Sequence, residues 1–203
     1  MELFLDGVRL ELAAESHSLS AAFQAGIDSA RSRGRLVVEA LADGRPIDES
    51  MIATGFTPGS VELKTANPDE LARDTLLQAA ESLETVRGQQ QACGEAFSKG
   101  DEAKGVDHLR VALEGWQMIR DVIEQTRALV GERWADVVVS GTHGEATLEH
   151  AVGQLAIALR AIKATSEAED YSGLSDIVMY DMDVLADVFA GLLRELAERS
   201  AQP

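Results

Sequence analysis

Val137-Val138-Val139-Ser140-Gly141-Thr142-His143-Gly144-Glu145 is the stretch whose residue types come nearest to a ligand-binding motif. Glycines let backbone N–H groups approach an anion, and a helix starting behind them would favour its charge. The segment lacks the lysine and the glycine spacing of a phosphate-binding loop. A long connection in which Thr142 and Glu145 form a capping box at a helix start accounts for the same residues. Small-molecule or anion binding at 137–145 is therefore the alternative function, and helix entry the plainer reading.

His143, Glu149 and His150 could supply metal ligands, yet they form no His-Glu-x-x-His or other spacing that sets two imidazoles one turn apart. Asp176, Asp183 and Asp187 include an i, i+4 pair of carboxylates. Di-metal sites in helical bundles need Glu-x-x-His pairs on facing helices, and none is present, so these acids read as a solvated face. Asp181 lies nearer a helix seam, where burial would perturb its titration. Cys93 is the only cysteine, which excludes a disulfide within the chain and a Cys-based zinc cluster. Set in an apolar stripe, it reads as a small buried hydrophobe rather than a nucleophile. No catalytic, cofactor-binding or metal-ligating residue is assigned. No cofactor is expected, and the chain is not expected to be an enzyme.

The elements that would position these residues fall into two groups, divided near Asn67-Pro68 where the hydrophobic period changes. In residues 1–66 the alternation is strand-like; after it, apolar residues recur at helical heptad spacing. The 203 residues hold 45% apolar side chains, enough for a core in each part. The formal charge is −17, with residues 1–66 contributing −4 (10 acidic, 6 basic) and residues 67–203 the remaining −13. Such a surface repels phosphate backbones and anionic membranes, so the expected partner is a protein, basic or polar in character, and neither nucleic acid nor membrane. The start, Met1-Glu2-Leu3-Phe4-Leu5-Asp6, has no basic region and no apolar run of secretory length, and no window approaches a membrane span. A cytoplasmic location is expected.

Leu3-Phe4-Leu5, Asp6-Gly7 and Val8-Arg9-Leu10-Glu11-Leu12 predict two strands around a tight turn, with Val8, Leu10 and Leu12 on the buried face. Ser18 offers an N-cap to a helix whose stripe is Leu19, Phe23, Ile27 and Ala30, ended by Gly34. Leu36 to Leu41 is the next strand, Asp43-Gly44 a turn, Arg45-Pro46-Ile47 a short return, Met51, Ile52 and Phe56 a loop or short helical turn, and Val61 to Lys64 the last strand. Through this order, and through Val38-Glu39-Ala40-Leu41-Ala42-Asp43-Gly44-Arg45-Pro46-Ile47 followed by Ser60-Val61-Glu62-Leu63, residues 1–66 resemble a ubiquitin-like β-grasp domain. The resemblance implies a docking module or a structural appendage. Conjugation is not expected, because the unit runs through Thr65-Ala66-Asn67-Pro68 into a helix instead of ending in Gly-Gly.

Asn67, Pro68, Asp69 and Glu70 form a strong helix opening. Four long amphipathic helices are predicted over 68–200, forming an antiparallel four-helix bundle. Helix one, to about Lys99, carries Leu76, Ala79, Leu83, Val86, Gln90, Cys93 and Phe97 at alternating three- and four-residue steps, Gln90 fixing register or reaching solvent. After a reversal at Gly100-Asp101, helix two runs to about Val130 with Leu109, Ala112, Trp116, Ile119, Ile123 and Val130, Trp116 being a core anchor. Helix three, about Ala146 to Ala168, carries Leu148, Val152, Leu155, Leu159 and Ile162. Helix four, about Ser172 to Arg199, carries Val178, Met182, Leu185, Phe189, Leu192 and Leu196. Ile177, Val184, Val188 and Leu193 widen its face, which implies either central burial of this helix or a surface left over for a partner or for a homodimer through helix four. Gly100-Asp101-Glu102-Ala103-Lys104 leading into His108-Leu109-Arg110-Val111-Ala112-Leu113, and Asp170 leading into helix four, resemble the flagellar export chaperones, helical bundles that bind flagellin. Together these readings predict an α+β chain that acts as a non-enzymatic adaptor or chaperone-like scaffold, docking a partner on the bundle or on the β-grasp sheet.

Overall fold

The computed structural model describes residues 1–11, 18–48, 50–51, 54, 56–130, 134, 137–141 and 144–200. Leu12, Ile52, Thr142 and His143, which enter the expectations above, lie outside them. The chain separates into two units, Met1–Leu71 and Ala72–Pro203, and mixes sheet and helix.

In the first unit, β1 (Glu2–Leu5) and β2 (Val8–Leu10) form a hairpin through Asp6 and Gly7, both at positive φ. That geometry matches the right-handed twist of the flanking strands. Helix α1 (Leu19–Ser32) starts at Ser18, whose hydroxyl accepts the Ala21 N–H at 3.2 Å. Strands β3 (Leu36–Ala42) and β4 (Arg45–Pro46) follow around a second positive-φ Asp-Gly pair, Asp43-Gly44, and β5 (Ser60–Ala66) completes a five-stranded sheet of order β2-β1-β5-β3-β4. β1 and β5 are parallel; the other pairings are antiparallel.

Leu3, Leu5, Val61 and Leu63 supply the buried sheet face, and Leu19, Ala22 and Ala30 the facing helix. The buried line of α1 is turned by one position from the expected stripe: Phe23 and Ile27 flank it and Gly26 sits in it. The cause is a close approach at Gly26, where a Cβ would collide with the Leu63 side chain. Val8 corrects another expectation: opposite Leu5 at the turn end of edge strand β2, it is 58% exposed.

In the second unit, α2 (Pro68–Ser98, its first turn belonging to the first unit) reverses into α3 (Glu102–Val130) through Gly100, whose φ is 74°. The Gly100 and Asp101 N–H groups return to the Phe97 and Ala96 carbonyls at 2.9 Å each, so these two carbonyls of the last turn are satisfied. Gly105 against Phe97 and Gly115 against Val86 set the two helices side by side and antiparallel. A hairpin of β6 (Val138–Gly141) and β7 (Gly144–Thr147) precedes α4 (Leu148–Glu167). The last stretch is α5 (Tyr171–Asp176), a π-helical turn (Ile177–Asp181) and α6 (Met182–Ser200). The expected helix four is thus interrupted by one wide turn, whose Met179 lies where a Cβ on Gly94 of α2 would have to go.

Every member of the predicted α2 stripe is buried, as are Leu109, Ala112, Trp116, Ile119 and Ile123 of α3. With Leu155 and Ile162 of α4 and Met182, Leu185, Phe189, Leu192 and Leu196 of α6, all of these but Gln90 and Ala112 belong to one apolar core. Val152, predicted for the α4 stripe, is 40% exposed. Ala151 and Ala158 take the inward line there in its place.

Candidate functional site

The 137–145 segment is a two-stranded hairpin, pairing Val138 with Thr147, Ser140 with Glu145 and Gly141 with Gly144. The described glycines therefore lie in paired strands, and the helix begins further on, at Leu148. Its N-cap is Thr147, whose hydroxyl accepts the His150 N–H at 3.2 Å. Glu145, expected to complete a capping box inside the helix, belongs to β7, and Ala146, the expected start of the helix, is also a strand residue. Glu149 and His150 are exposed in the first turn of α4. Among the described residues no group of three or more His, Cys, Asp or Glu side chains stands close enough to hold a metal ion.

The acids of the last helix divide. Asp176 and Asp181 are exposed. Asp183 and Asp187, expected on a solvated face, are bound by one guanidinium: Arg87 of α2 donates to Asp183 Oδ1 at 2.8 Å and Oδ2 at 3.1 Å, and to Asp187 Oδ1 at 2.7 Å. The pairing keeps the guanidinium charged, raising its pKa first through the Asp183 hydrogen bonds. An i, i+4 pair of carboxylates is held by one arginine on a neighbouring helix, a structural clamp between α2 and α6.

Cys93 is fully buried, and burial pushes its thiol up to about 11, which leaves it protonated and unreactive near neutral pH. Gln90 is buried with neither its amide nitrogen nor its oxygen hydrogen-bonded, and the indole nitrogens of Trp116 and Trp134 are in the same state. Trp116 packs edge-on against Phe189 at 5.3 Å, as a core anchor would.

What the second unit offers to solvent is a set of interhelical grooves. The groove between α4 and α6, about 470 Å³, has an outer row of His150, Gln154, Ile157 and Ala161 on α4. Asp181, Val184 and Val188 form the opposite wall, over a floor of Ala151, Ala158 and Leu185. Ile157 is 52% exposed at its lip. Val184 and Val188, the residues expected to widen the last helix's face, are half-buried here. A second groove of about 390 Å³ runs between α3 and α4 over Phe189, with Val152 in its wall and charges of both signs, Arg120, Arg127, Glu124 and Glu149, at its rim. A third, about 330 Å³, lies between α2 and α3 beside Val111 and Met118.

The first unit carries a hollow of about 520 Å³ on its sheet beside Phe4, Glu62 and Lys64. Lys64 is tied to Glu39 at 2.6 Å, and Asp6 and Glu62 line the hollow with it. The sequence reading missed the α4/α6 groove. Its one signal is small residues, Ala151 and Ala158 on the floor and Ala161 in the outer row, which leave open a space that leucines would fill.

Among the described residues no helix is long and apolar enough to cross a membrane. No protein family's model matches the chain, and no curated protein and no solved structure matches it.

Proposed function

We propose that the protein is a non-enzymatic interaction module, an adaptor or chaperone-like scaffold that binds a partner protein through its helical unit. The first unit is read as a ubiquitin-like β-grasp domain and the second as an antiparallel four-helix bundle. The strand order β2-β1-β5-β3-β4, with β1 parallel to β5 and one helix against the sheet, supports the first assignment. The reversal at Gly100 and the single core drawn from α2, α3, α4 and α6 support the second. A protein-binding bundle also fits the resemblance to flagellar export chaperones, and a protonated, buried lone cysteine fits a cytoplasmic location.

The observation that carries the reading is the α4/α6 groove: Ile157, Ala161, Val184 and Val188 stand at helical spacing in its walls beside the polar His150, Gln154 and Asp181, with the isoleucine left half in water. Exposed apolar surface of this kind marks interaction sites. The test is site-specific photo-crosslinking in cells expressing the full chain, with the probe placed in turn at Ile157, Val152, Met118 and Val38. A discrete protein adduct from at least one helical position is the expected result. Adducts from Val38 alone would move the docking face to the sheet, and adducts from no position would remove the reading.

A further inference from the structure

We propose that the α4/α6 groove seats a single amphipathic helix of a partner protein, one with an apolar row of 3.5-residue period and Lys or Arg beside that row. This rests on the interaction reading above and adds the shape and charge of what binds.

The shape follows from the walls. His150, Gln154, Ile157 and Ala161 step by four, three and four along α4, and Asp181, Val184 and Val188 by three and four along the facing helix. Two rows in that rhythm form the holes into which the side chains of a third helix fit as knobs. The α4 row runs for about three turns, or ~16 Å at 1.5 Å per residue, which matches a short helix rather than a compact ligand. The alanine floor lets the backbone of the incoming helix approach closely, and Ile157 supplies apolar contact now lost to water.

The charge follows from what lines the groove and what surrounds it. Among the described lining residues Asp181 is the only carboxylate, exposed at the end of the π-helical turn that leads into α6, and neither Lys nor Arg is present. The groove belongs to the part of the chain that carries −13 of the −17 charge. A cationic helix is drawn to such a surface, while an acidic one, including a second copy of this chain, is repelled.

The experiment titrates the full chain into a fluorescein-labelled peptide of about 18 residues, ~27 Å long as a helix. The peptide has Leu and Ala in a heptad row and Lys at the flanking positions; a second peptide with Glu for Lys is the counterpart. Anisotropy is expected to rise with the Lys peptide and not with the Glu peptide. Ile157→Glu should weaken binding by about tenfold or more, the cost of losing one buried aliphatic contact. Asp181→Lys should weaken it by a few-fold and flatten its salt dependence. Val106→Glu, at an exposed apolar position near the start of α3, should leave it unchanged. All three positions are exposed, and far-UV circular dichroism checks that the variants fold. No binding of the Lys peptide overturns the proposal. So does binding that Ile157→Glu and Asp181→Lys leave intact, which would be general attraction to an acidic chain. Equal binding of the Glu peptide has the same consequence. A homodimer seen by light scattering and split by Ile157→Glu would put a second copy in the groove and also overturn it. In each of these cases a crosslinked protein from Val152 or Met118 leaves the interaction reading standing, whereas silence at all probe positions removes both.

Discussion

Arg87 and Asp183, ninety-six positions apart in the chain, meet in a two-pronged ion pair in which both carboxylate oxygens accept from one guanidinium, and the same arginine reaches Asp187 one turn on. The guanidinium offsets two like charges placed i, i+4 on α6. Its side chain is 25% exposed, so the pair is screened less than a fully solvated one. Without the arginine the carboxylates repel each other and lose their charge-assisted hydrogen bonds.

Arg87→Met is therefore expected to destabilise the helical unit by about 1–2 kcal/mol, above the usual worth of an exposed pair. Both tryptophans of the chain, Trp116 and Trp134, lie in this unit, so tryptophan fluorescence during urea unfolding reports on it directly. A loss smaller than about 0.3 kcal/mol would mean that the clamp is no stronger than a surface ion pair.

Gln90 should be replaceable at a gain. It sits 2% exposed in the α2 stripe with both ends of its amide unbonded, and an unmet buried polar group costs about 1–3 kcal/mol. Methionine has a similar volume and no such requirement. Gln90→Met should raise the urea midpoint of the fluorescence transition by the equivalent of about 1–2 kcal/mol. A lowered midpoint would show that the amide has partners in solution, such as an internal water. A raised midpoint with loss of dispersed side-chain NMR signals would show that Gln90 fixes register.

How far the chain discloses this arrangement depends on the range of the interactions involved. The α2 stripe is fully legible because each step from Leu76 to Phe97 is local and the three-four rhythm leaves one inward line. The Asp6-Gly7 and Asp43-Gly44 turns are legible for the same reason, since positive φ is a property of the dipeptide. The start of α4 misleads. Thr142 and Glu145 have capping-box spacing, whereas the true cap, Thr147, is set by a hairpin whose strands pair only across the turn. Arg87 holding Asp183 and Asp187 has no local signature, so the two acids look solvated. The α4/α6 groove is hidden in another way: the alanines at 151, 158 and 161 can be read, but whether a neighbour fills the space they leave is a fact of packing.

Cys93 supplies a titration in the alkaline range. Burial raises its pKa from the ordinary thiol value of 9.0 to about 11, so between these values the folded chain keeps a proton that the unfolded chain has released. Its contribution is whole below pH 9.0 and is lost as pH rises towards 11, about 2–3 kcal/mol in all at ~1.4 kcal/mol per unit. Cys93→Ala should flatten the loss of stability over that interval relative to the parent chain. The parent thiol should also resist Ellman's reagent at pH 8 until the chain is unfolded in guanidinium, and prompt labelling of the folded protein would contradict its burial.

The two turn aspartates make an acid-side prediction for the first unit. Asp6 accepts the Thr65 N–H at 2.8 Å and its hydroxyl at 2.6 Å, while Asp43 accepts the Ser60 N–H at 2.8 Å, so the two hairpin turns hold opposite ends of β5. The Thr65 hydrogen bonds hold the Asp6 carboxyl below the ordinary value of 3.8, and the Ser60 N–H does the same for Asp43. A depressed carboxyl contributes stability that is present above the unfolded value and is lost as pH falls through the lower folded value. Amide exchange at Thr65 and Ser60, followed by NMR, should therefore stay protected down to about pH 4 and lose protection below it. Asp6→Asn isolates the charge, because Asn-Gly keeps the same turn preference while its amide nitrogen cannot accept the Thr65 hydroxyl. In that variant Thr65 protection should drop by a few-fold near neutral pH, and its acid-dependent loss should disappear. Ser60 should keep both, since its partner is Asp43. Equal loss at Thr65 and Ser60 would show that Asp6 acts on the whole sheet rather than on one end of β5.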